Sequence, residues 1–418
     1  MFRKISIQNF KSLADASVDL APFTVLVGNN GAGKSSFLQA IELMSWAVRY
    51  ASISDALAAH HIDFGDLVYL RSADSTITLM AEVDLTSPNH SEVEQIIVEM
   101  RFKKKKYVYL AFELVLPSNL DSTNPTQISG SPYAVMSIKR RRLAWDRSGE
   151  RIHHDNVALG HSMLRDVYQA RRGEERFPIL FRVAHHFMDY VHYEIWGPEQ
   201  LRQPSNGQRT LFAGSQEGRL LGKSGEGLPS LLWSIRASSS ARWPELLAEL
   251  QSTYPAIREI RFKRGVEASE LGLQFLEQGT SSASSLTYRP AQMSDGFLRL
   301  LALLAIKYQA PPLALLGYEE PENGLHPSAL HDCMRHLKDI AKNGTQVILT
   351  THSPYLLNHL LEDESEPVAQ LRLVLRGKDG KTRIVPPDPE KIQLARRQGF
   401  GVGELWGTLL NEEELAQQ

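Results

Sequence analysis

An apolar run, Phe23-Thr-Val-Leu-Val27, is followed by Gly28-Asn-Asn-Gly-Ala-Gly-Lys-Ser35 and then by a helical pattern from Phe37 to Trp46. Strand, glycine-rich loop and helix in that order leave few folds open, because G-x-x-x-x-G-K-[ST] in this setting is a phosphate-wrapping loop on an α/β sheet. The glycines let backbone N–H groups turn toward a polyphosphate, and the helix N-terminus adds its positive dipole end. Lys34 supplies charge to the β- and γ-phosphates, and the Ser35 hydroxyl suits Mg²⁺. Asn29, Asn30, Gly31, Gly33, Lys34, Ser35 and Ser36 are the candidate nucleotide contacts, with Ser35 also a metal ligand. The loop implies a bound nucleoside triphosphate.

Composition narrows the setting. The 418 residues suffice for two or three packed units. A 42% hydrophobic and 22% charged makeup is that of an ordinary globular protein, and a net charge of -2 gives no global field toward nucleic acid or membrane. Cys333 stands alone, which rules out an internal disulfide; in a helical pattern it reads as a small buried residue. The greasiest stretch, Phe297 to Ile306, carries Arg299 and is too short to span a bilayer. The expectation is a soluble, cytoplasmic protein without a membrane partner.

Along the chain, Ile5 and Ile7 alternate as in a strand, Asn9-Phe-Lys-Ser12 breaks the run, and Ala16 to Leu20 leads to the strand before the loop. Residues 77–84 and 97–117 read as further strands, and 118–132 as a loop. Helical spacing dominates from Leu159 to Leu250, broken by Pro and Gly; strand character returns at Ile257–Phe262 and Leu271–Leu276. The Ser-rich stretch Thr280–Ser285 is a loop, and a hairpin runs from Leu371 to Val385 with its turn at Lys378-Asp-Gly-Lys381. No internal repeat or sustained heptad is present.

A second apolar strand, from Leu313, ends in Glu319-Glu-Pro-Glu-Asn-Gly-Leu-His-Pro327. Two adjacent carboxylates at a strand end put one acid at a metal and the next at a water: Glu319 would hold Mg²⁺ and Glu320 would orient or deprotonate the hydrolytic water. A third strand, Thr345-Gln-Val-Ile-Leu-Thr-Thr351, ends in His352-Ser-Pro354, where ligands sit in parallel α/β sheets. His352 is the candidate γ-phosphate contact. Upstream, Gln292-Met-Ser-Asp-Gly-Phe-Leu-Arg-Leu300 opens an apolar helix to about Tyr308, with Ser294 as N-cap and Gly296 open to close anion approach.

The order of these four motifs resembles an ABC-type ATPase head of the RecF/SMC/OLD-like branch. Lys4-Ile-Ser-Ile-Gln-Asn-Phe-Lys-Ser12 is similar to that branch's opening strand and turn, and Glu319–Pro327 with Thr351–Pro354 is its most specific motif pair. The resemblance covers residues 1–50 and 290–360 and leaves the middle poorly matched. It implies an α/β P-loop NTPase head with a mixed β and helical insertion between P-loop and signature. It further implies ATP and Mg²⁺ as ligands, and a homodimer or higher oligomer in which Ser294 and Gly296 reach the γ-phosphate of the other subunit. His352 would be the switch histidine. The expected division is 1–117 and 286–390 for the two parts of the head, 118–285 for an insertion or docking region, and 391–418 for a helical tail.

The chain departs from the pattern in having Glu319 where Asp is commoner, and Asp295 and Phe297 where transporter heads carry Gly and Gln. Gln169, Gln200, Gln203 and the segment Asp63-Phe-Gly-Asp66 are the candidates for the Q-loop position. The residues after Pro354 are fewer than the about one hundred that a Toprim nuclease domain takes, so the expectation is a head without a fused nuclease. Arg101-Phe-Lys-Lys-Lys-Lys106 and Lys139-Arg-Arg-Arg142 offer cations for DNA phosphates or, equally, for guarding a sheet edge. The pairs His60-His61, His153-His154 and His185-His186 point their rings apart and disfavour a shared metal. The leading expectation is an ATPase whose ATP-driven dimerisation regulates a DNA-linked process, in anti-phage defence with a separate nuclease subunit. DNA repair or recombination is a second reading, and the ATPase subunit of a membrane transporter a third.

Overall fold

The computed structural model describes residues 1–50, 52–69, 76–87, 90–104, 108–115, 144–145, 151–152, 163–169, 178–193, 198–206, 220–238, 241–264, 270–278, 285–323, 325, 327–360, 369–388, 390, 392–393, 397 and 403. They fall into two compact units, one from Met1–Tyr190 with Gln370–Lys391, the other from Val191–Ala369 with Ile392–Trp406.

The first unit opens with β1 (Phe2–Phe10), β2 (Leu13–Asp19), β3 (Phe23–Val27) and α1 (Lys34–Arg49). Short helices α2 (Ile53–Ala59) and α3 (Phe64–Leu67) lead to β4 (Ile77–Ser87), β5 (His90–Lys104) and β6 (Val108–Val115). After two-residue strands β7 (Ala144–Trp145) and β8 (Arg151–Ile152) come α4 (Met163–Gln169) and α5 (Pro178–Met188). One sheet has the order β2-β1-β4-β5-β6 with antiparallel pairs. Ile5 and Ile7 are buried two residues apart in β1, with Phe2 and Phe10 buried at its ends and a register shift between Phe2 and Lys4, while Arg3 and Gln8 face water. Because β5 lies between β4 and β6, Arg101–Lys104, the described part of the first basic run, does not lie on an edge strand, and the edge-guarding reading is corrected for those residues.

The second unit contains β9 (Tyr190–Tyr193), α6 (Pro198–Arg202), β10 (Ser205–Asn206), α7 (Leu228–Ser238), α8 (Arg242–Thr253), β11 (Ile257–Arg264), β12 (Glu270–Gln278) and β13 (Ser285–Tyr288). It continues through α9 (Asp295–Tyr308), β14 (Leu315–Glu319), α10 (Pro327–Lys342), β15 (Gln346–Thr351) and α11 (Pro354–Leu360). A closing hairpin, β16 (Ala369–Arg376) and β17 (Thr382–Val385), returns to the first unit, where β16 lies beside β3. β14 and β15 pair in parallel from Leu315↔Gln346 to Glu319↔Thr350, and β9 flanks β14. Every residue of β9 and β15 is buried, as expected of strands covered on both faces. The stretch expected to be helical thus contains β9: a four-residue strand buried on both sides carries no alternation for a sequence to display.

Helix α9 buries Phe297, Leu298, Leu301 and Leu304 against α6, α7, α8 and α10. Each such side chain contributes about 1.5–3 kcal/mol, which fixes the helix that carries Ser294 at its start. The signature end thereby rests on a rigid element.

Candidate functional site

The P-loop lies wholly in the first unit. Gly33 has φ 113, a left-handed conformation that only glycine takes at low cost, and a Cβ there would run into the Thr382 hydroxyl. A Cβ at Gly28 would run into the carbonyl oxygen of Val374. The loop is therefore braced from outside by the β16–β17 hairpin. Thr382 Oγ1 donates to Ala32 O at 2.7 Å and lies 2.8 Å from Ser12 Oγ, and Arg376 donates to Gly31 O at 3.0 Å. The Asn9–Ser12 turn, with left-handed Asn9 and Lys11, joins the same support, Thr382 N donating to Ser12 O at 2.8 Å.

Lys34 is buried, and its ammonium donates to Gly28 O at 2.8 Å and Asn29 O at 3.2 Å. Asn29, Asn30 and Gly31 are exposed at the loop rim, while Ser35 and Ser36 are half-buried at the start of α1. A buried cation curled against loop carbonyls, under a helix N-terminus, is a donor set suited to a polyphosphate with a divalent metal. Helix α1 is held at its far end by Arg49, which donates to Met188 O at 3.1 Å and also bonds Tyr190 O. Burial lowers the Arg49 pKa, with Asp189 opposing. Among the described histidines, His185 pairs with Asp189 and His186 with Arg182 O, so their rings do point apart.

The second unit carries the acids. β14 delivers Glu319 half-buried, its Oε1 2.7 Å from Nε2 of His192 on β9. Glu320 follows with φ 42, a left-handed conformation rare for a non-glycine residue and typical of strained functional positions. Several bonds hold it there. Glu320 N donates to Thr350 O at 2.9 Å, Asn323 Nδ2 donates to Glu320 Oε2 at 2.7 Å, and His352 Nδ1 lies 3.2 Å from Glu320 Oε1. The structure thus brings Glu320 and His352 together, both at the carboxyl ends of their strands. Glu322 is an acid that the sequence did not single out. It accepts from Thr351 Oγ1 at 2.6 Å and from His352 N at 3.3 Å, so it ties the turn after β14 to the end of β15. Arg299 bonds Asn323 O and links the same turn to α9.

Ser294 caps α9, its hydroxyl accepting from Phe297 N at 3.3 Å, and remains exposed. Arg202 pairs with Asp295 and donates to Met293 O at 3.2 Å, neutralising the acid that replaces the glycine of transporter signatures. A Cβ on Gly296 would meet only the Tyr254 hydroxyl at 3.8 Å, so packing within the chain does not itself call for glycine. Of the Q-loop candidates, Gln200 lies on α6 and Gln203 just beyond it, Gln169 ends α4, and Asp63 caps α3.

Away from these motifs, Glu249, His336 and Asp339 converge as metal ligands do. Lys307 Nζ already lies 2.8 Å from Glu249 and 2.7 Å from Asp339, so the chain's own ammonium supplies the cation. Burial lowers the His336 pKa to about 4 and pushes Cys333 up to about 12, leaving both neutral. A cationic, aromatic surface lies on β11, where Arg258, Arg261, Lys263 and Arg264 are exposed. Beside it, the half-exposed Trp233 packs on Phe262 and Arg236 lies over the Trp243 ring. Of the expected basic runs, Arg101 and Lys103 are exposed; Lys105 and Lys106, the Lys139–Arg142 run, and His153-His154 lie outside the described residues.

The family described as "AAA ATPase domain" matches residues 1–143, and "AAA domain, putative AbiEii toxin, Type IV TA system" matches residues 233–358. The Old nuclease of Escherichia phage P2 is 23% identical over 381 residues, covering 85% of this chain; the chain spans 56% of the nuclease's length. A solved Smc head bound to the C-winged helix domain of ScpA superposes with a TM-score of 0.52 at 16% identity, over 94% of this chain and 99% of that one. A Smc head with an extended coiled coil, bound to the C-terminal domain of ScpA derived from Pyrococcus furiosus, gives 0.50 at 13% identity, over 95% and 98%. The fold is that of an ABC-type P-loop NTPase head. The two AAA-family matches and the phage relative support a P-loop ATPase of the RecF/SMC/OLD-like kind.

Proposed function

We propose that this chain binds ATP with Mg²⁺, hydrolyses it, and uses ATP-dependent pairing of two heads to regulate a DNA-linked process. The observation that carries the reading is Glu320, held left-handed at the end of β14 between Asn323 and His352. Backbone strain of this kind persists where surrounding bonds hold it and clusters at active sites. In this reading Lys34 and the loop N–H groups bind the phosphates, and Ser35 with Glu319 hold Mg²⁺, which neutralises phosphate charge. Glu320 takes a proton from the water whose oxygen attacks the γ-phosphorus, and the bond to the β–γ bridging oxygen breaks to leave ADP and phosphate. His352 steadies the Glu320 carboxylate and faces the γ-phosphate. Ser294 and Gly296 contact the γ-phosphate of a second head, which accounts for a glycine that packing does not require.

The likeness to a phage-encoded nuclease supports a role in anti-phage defence beside a separate nuclease subunit, with DNA repair as the alternative. A cytoplasmic location accords with the described residues, none of whose helices is long and apolar enough to cross a membrane. DNA contact finds its clearest described surface on β11, where cations flank an exposed tryptophan. Light scattering of the Glu320→Gln protein tests the assembly: ATP should convert it to a dimer or higher oligomer. A Glu320→Gln protein that stays monomeric with ATP, beside a wild-type protein that hydrolyses ATP at a specific rate independent of protein concentration, would rule out the paired-head mechanism.

A further inference from the structure

The departure of this chain from the commoner aspartate at the metal-holding acid has a structural counterpart. Glutamate carries its carboxylate on one more methylene and one more torsion than aspartate, so a Glu319 carboxylate is further from the backbone and harder to hold in one place. The neighbouring strand supplies a clamp. His192, on the four-residue strand β9, has a side chain 0% exposed, and its Nε2 lies 2.7 Å from Glu319 Oε1. Its strand neighbours Tyr190, Val191 and Tyr193 are also buried, so the imidazole sits where an unsatisfied polar ring would be costly. A carboxylate only accepts, so Nε2 carries the proton and donates it.

We propose that His192 is the positioning residue that fixes the Glu319 carboxylate for a divalent cation. Metal-holding carboxylates are themselves hydrogen-bonded by a second layer of residues, and removing such a partner typically weakens metal affinity about 10- to 100-fold. His192 takes that place on a residue 127 positions away in the chain. The glutamate and the histidine form one device: the bond from β9 anchors one carboxylate oxygen and so restrains the longer arm. The inference rests on the reading of Glu319 as a metal ligand, and the experiment separates the two.

The probe is Mn²⁺ binding followed by electron paramagnetic resonance, with a non-hydrolysable ATP analogue present, on the full chain. His192→Leu fills the space without a donor, His192→Asn keeps a polar group too short to reach Glu319, and His192→Gln restores an N–H at the Nε2 position. Mn²⁺ affinity should fall about 10- to 100-fold in the first two and stay within about threefold of wild type in His192→Gln. Nucleotide affinity measured in EDTA should be unchanged in all three. Should His192→Leu fail to fold, His192→Asn decides. Wild-type Mn²⁺ affinity in a folded His192→Leu or His192→Asn protein, with Glu319→Ala losing it, would overturn the positioning role alone. Wild-type Mn²⁺ affinity in Glu319→Ala would instead remove the metal-ligand reading beneath it. In the Glu319→Ala background, adding His192→Leu should cause no further loss; an additional loss would show that His192 acts on the metal by another route.

Discussion

The phosphate loop and the acid strand are built by opposite means. In the proposed mechanism the loop binds through backbone groups of consecutive residues with the one Lys34 ammonium, and its glycines are fixed by what lies behind them, the Val374 carbonyl and the Thr382 hydroxyl. The acid strand works through side chains, and each depends on a partner distant in the chain: His192 for Glu319, Thr350 and His352 for Glu320, Thr351 for Glu322. A backbone site tolerates side-chain change around it and fails when its shape is disturbed. A side-chain site keeps its shape and fails when one functional group is lost. The two regions should therefore respond differently to substitution.

On the loop side, Lys34→Ala removes the buried ammonium. Charge-assisted hydrogen bonds contribute about 1.5–3 kcal/mol, so ATP affinity should fall about ten- to a hundredfold by fluorescence titration while thermal stability stays near wild type. On the surface of the acid-bearing unit, Arg261→Glu with Lys263→Glu should flatten the salt dependence of DNA binding. Two lost phosphate contacts lower the log–log slope by about 1.8, roughly a tenfold smaller change over a fourfold rise in salt, with basal ATPase unaltered. A labelled duplex titrated at two salt concentrations reads this directly; identical slopes would take DNA off β11.

Thr382→Val should act at a distance on the loop. It removes the hydroxyl that bonds Ala32 O, at about 0.5–1.5 kcal/mol, so ATP affinity should weaken by at most about tenfold without any change in the groups that touch nucleotide. Unchanged affinity would mean the hairpin supports the fold but not the loop. The smallest functional effect is expected at His336. Its pKa is depressed to about 4 by burial, so the folded chain resists a proton that the unfolded chain accepts. The stability this contributes is present above about pH 6.5 and lost as pH falls toward 4. His336→Leu should flatten denaturation stability against pH across that window, by up to about 1.4 kcal/mol per pH unit, and leave nucleotide binding alone.

The same contrast explains what could be read from the residues alone. The loop was legible because its glycines, Lys34 and Ser35 are contiguous and its flanking strand and helix are local patterns. The alternation of Ile5 and Ile7, the Ser294 cap and the hairpin turn at Asp379-Gly380 were legible for the same reason. Glu319, Glu320 and His352 could be proposed from strand ends, but nothing in one sequence links Thr382 to Ala32 or His192 to Glu319. Those bonds join positions 350 and 127 residues apart. The strand carrying His192 is buried on both faces, and its four residues show no alternation to set them apart from the surrounding helical spacing. Glu322 was visible within its motif, yet its role as a tie between β14 and β15 depends on Thr351 lying opposite.

The proposed mechanism assigns binding and turnover to different regions. It is tested most directly by measuring phosphate release and ATP binding together in Glu320→Gln. Loss of the base should cut phosphate release by about a hundred- to ten-thousandfold, while ATP affinity remains that of the wild type because Lys34 and the loop are untouched. Phosphate release at the wild-type rate would contradict the assignment of Glu320, and with it the division of labour between the two regions.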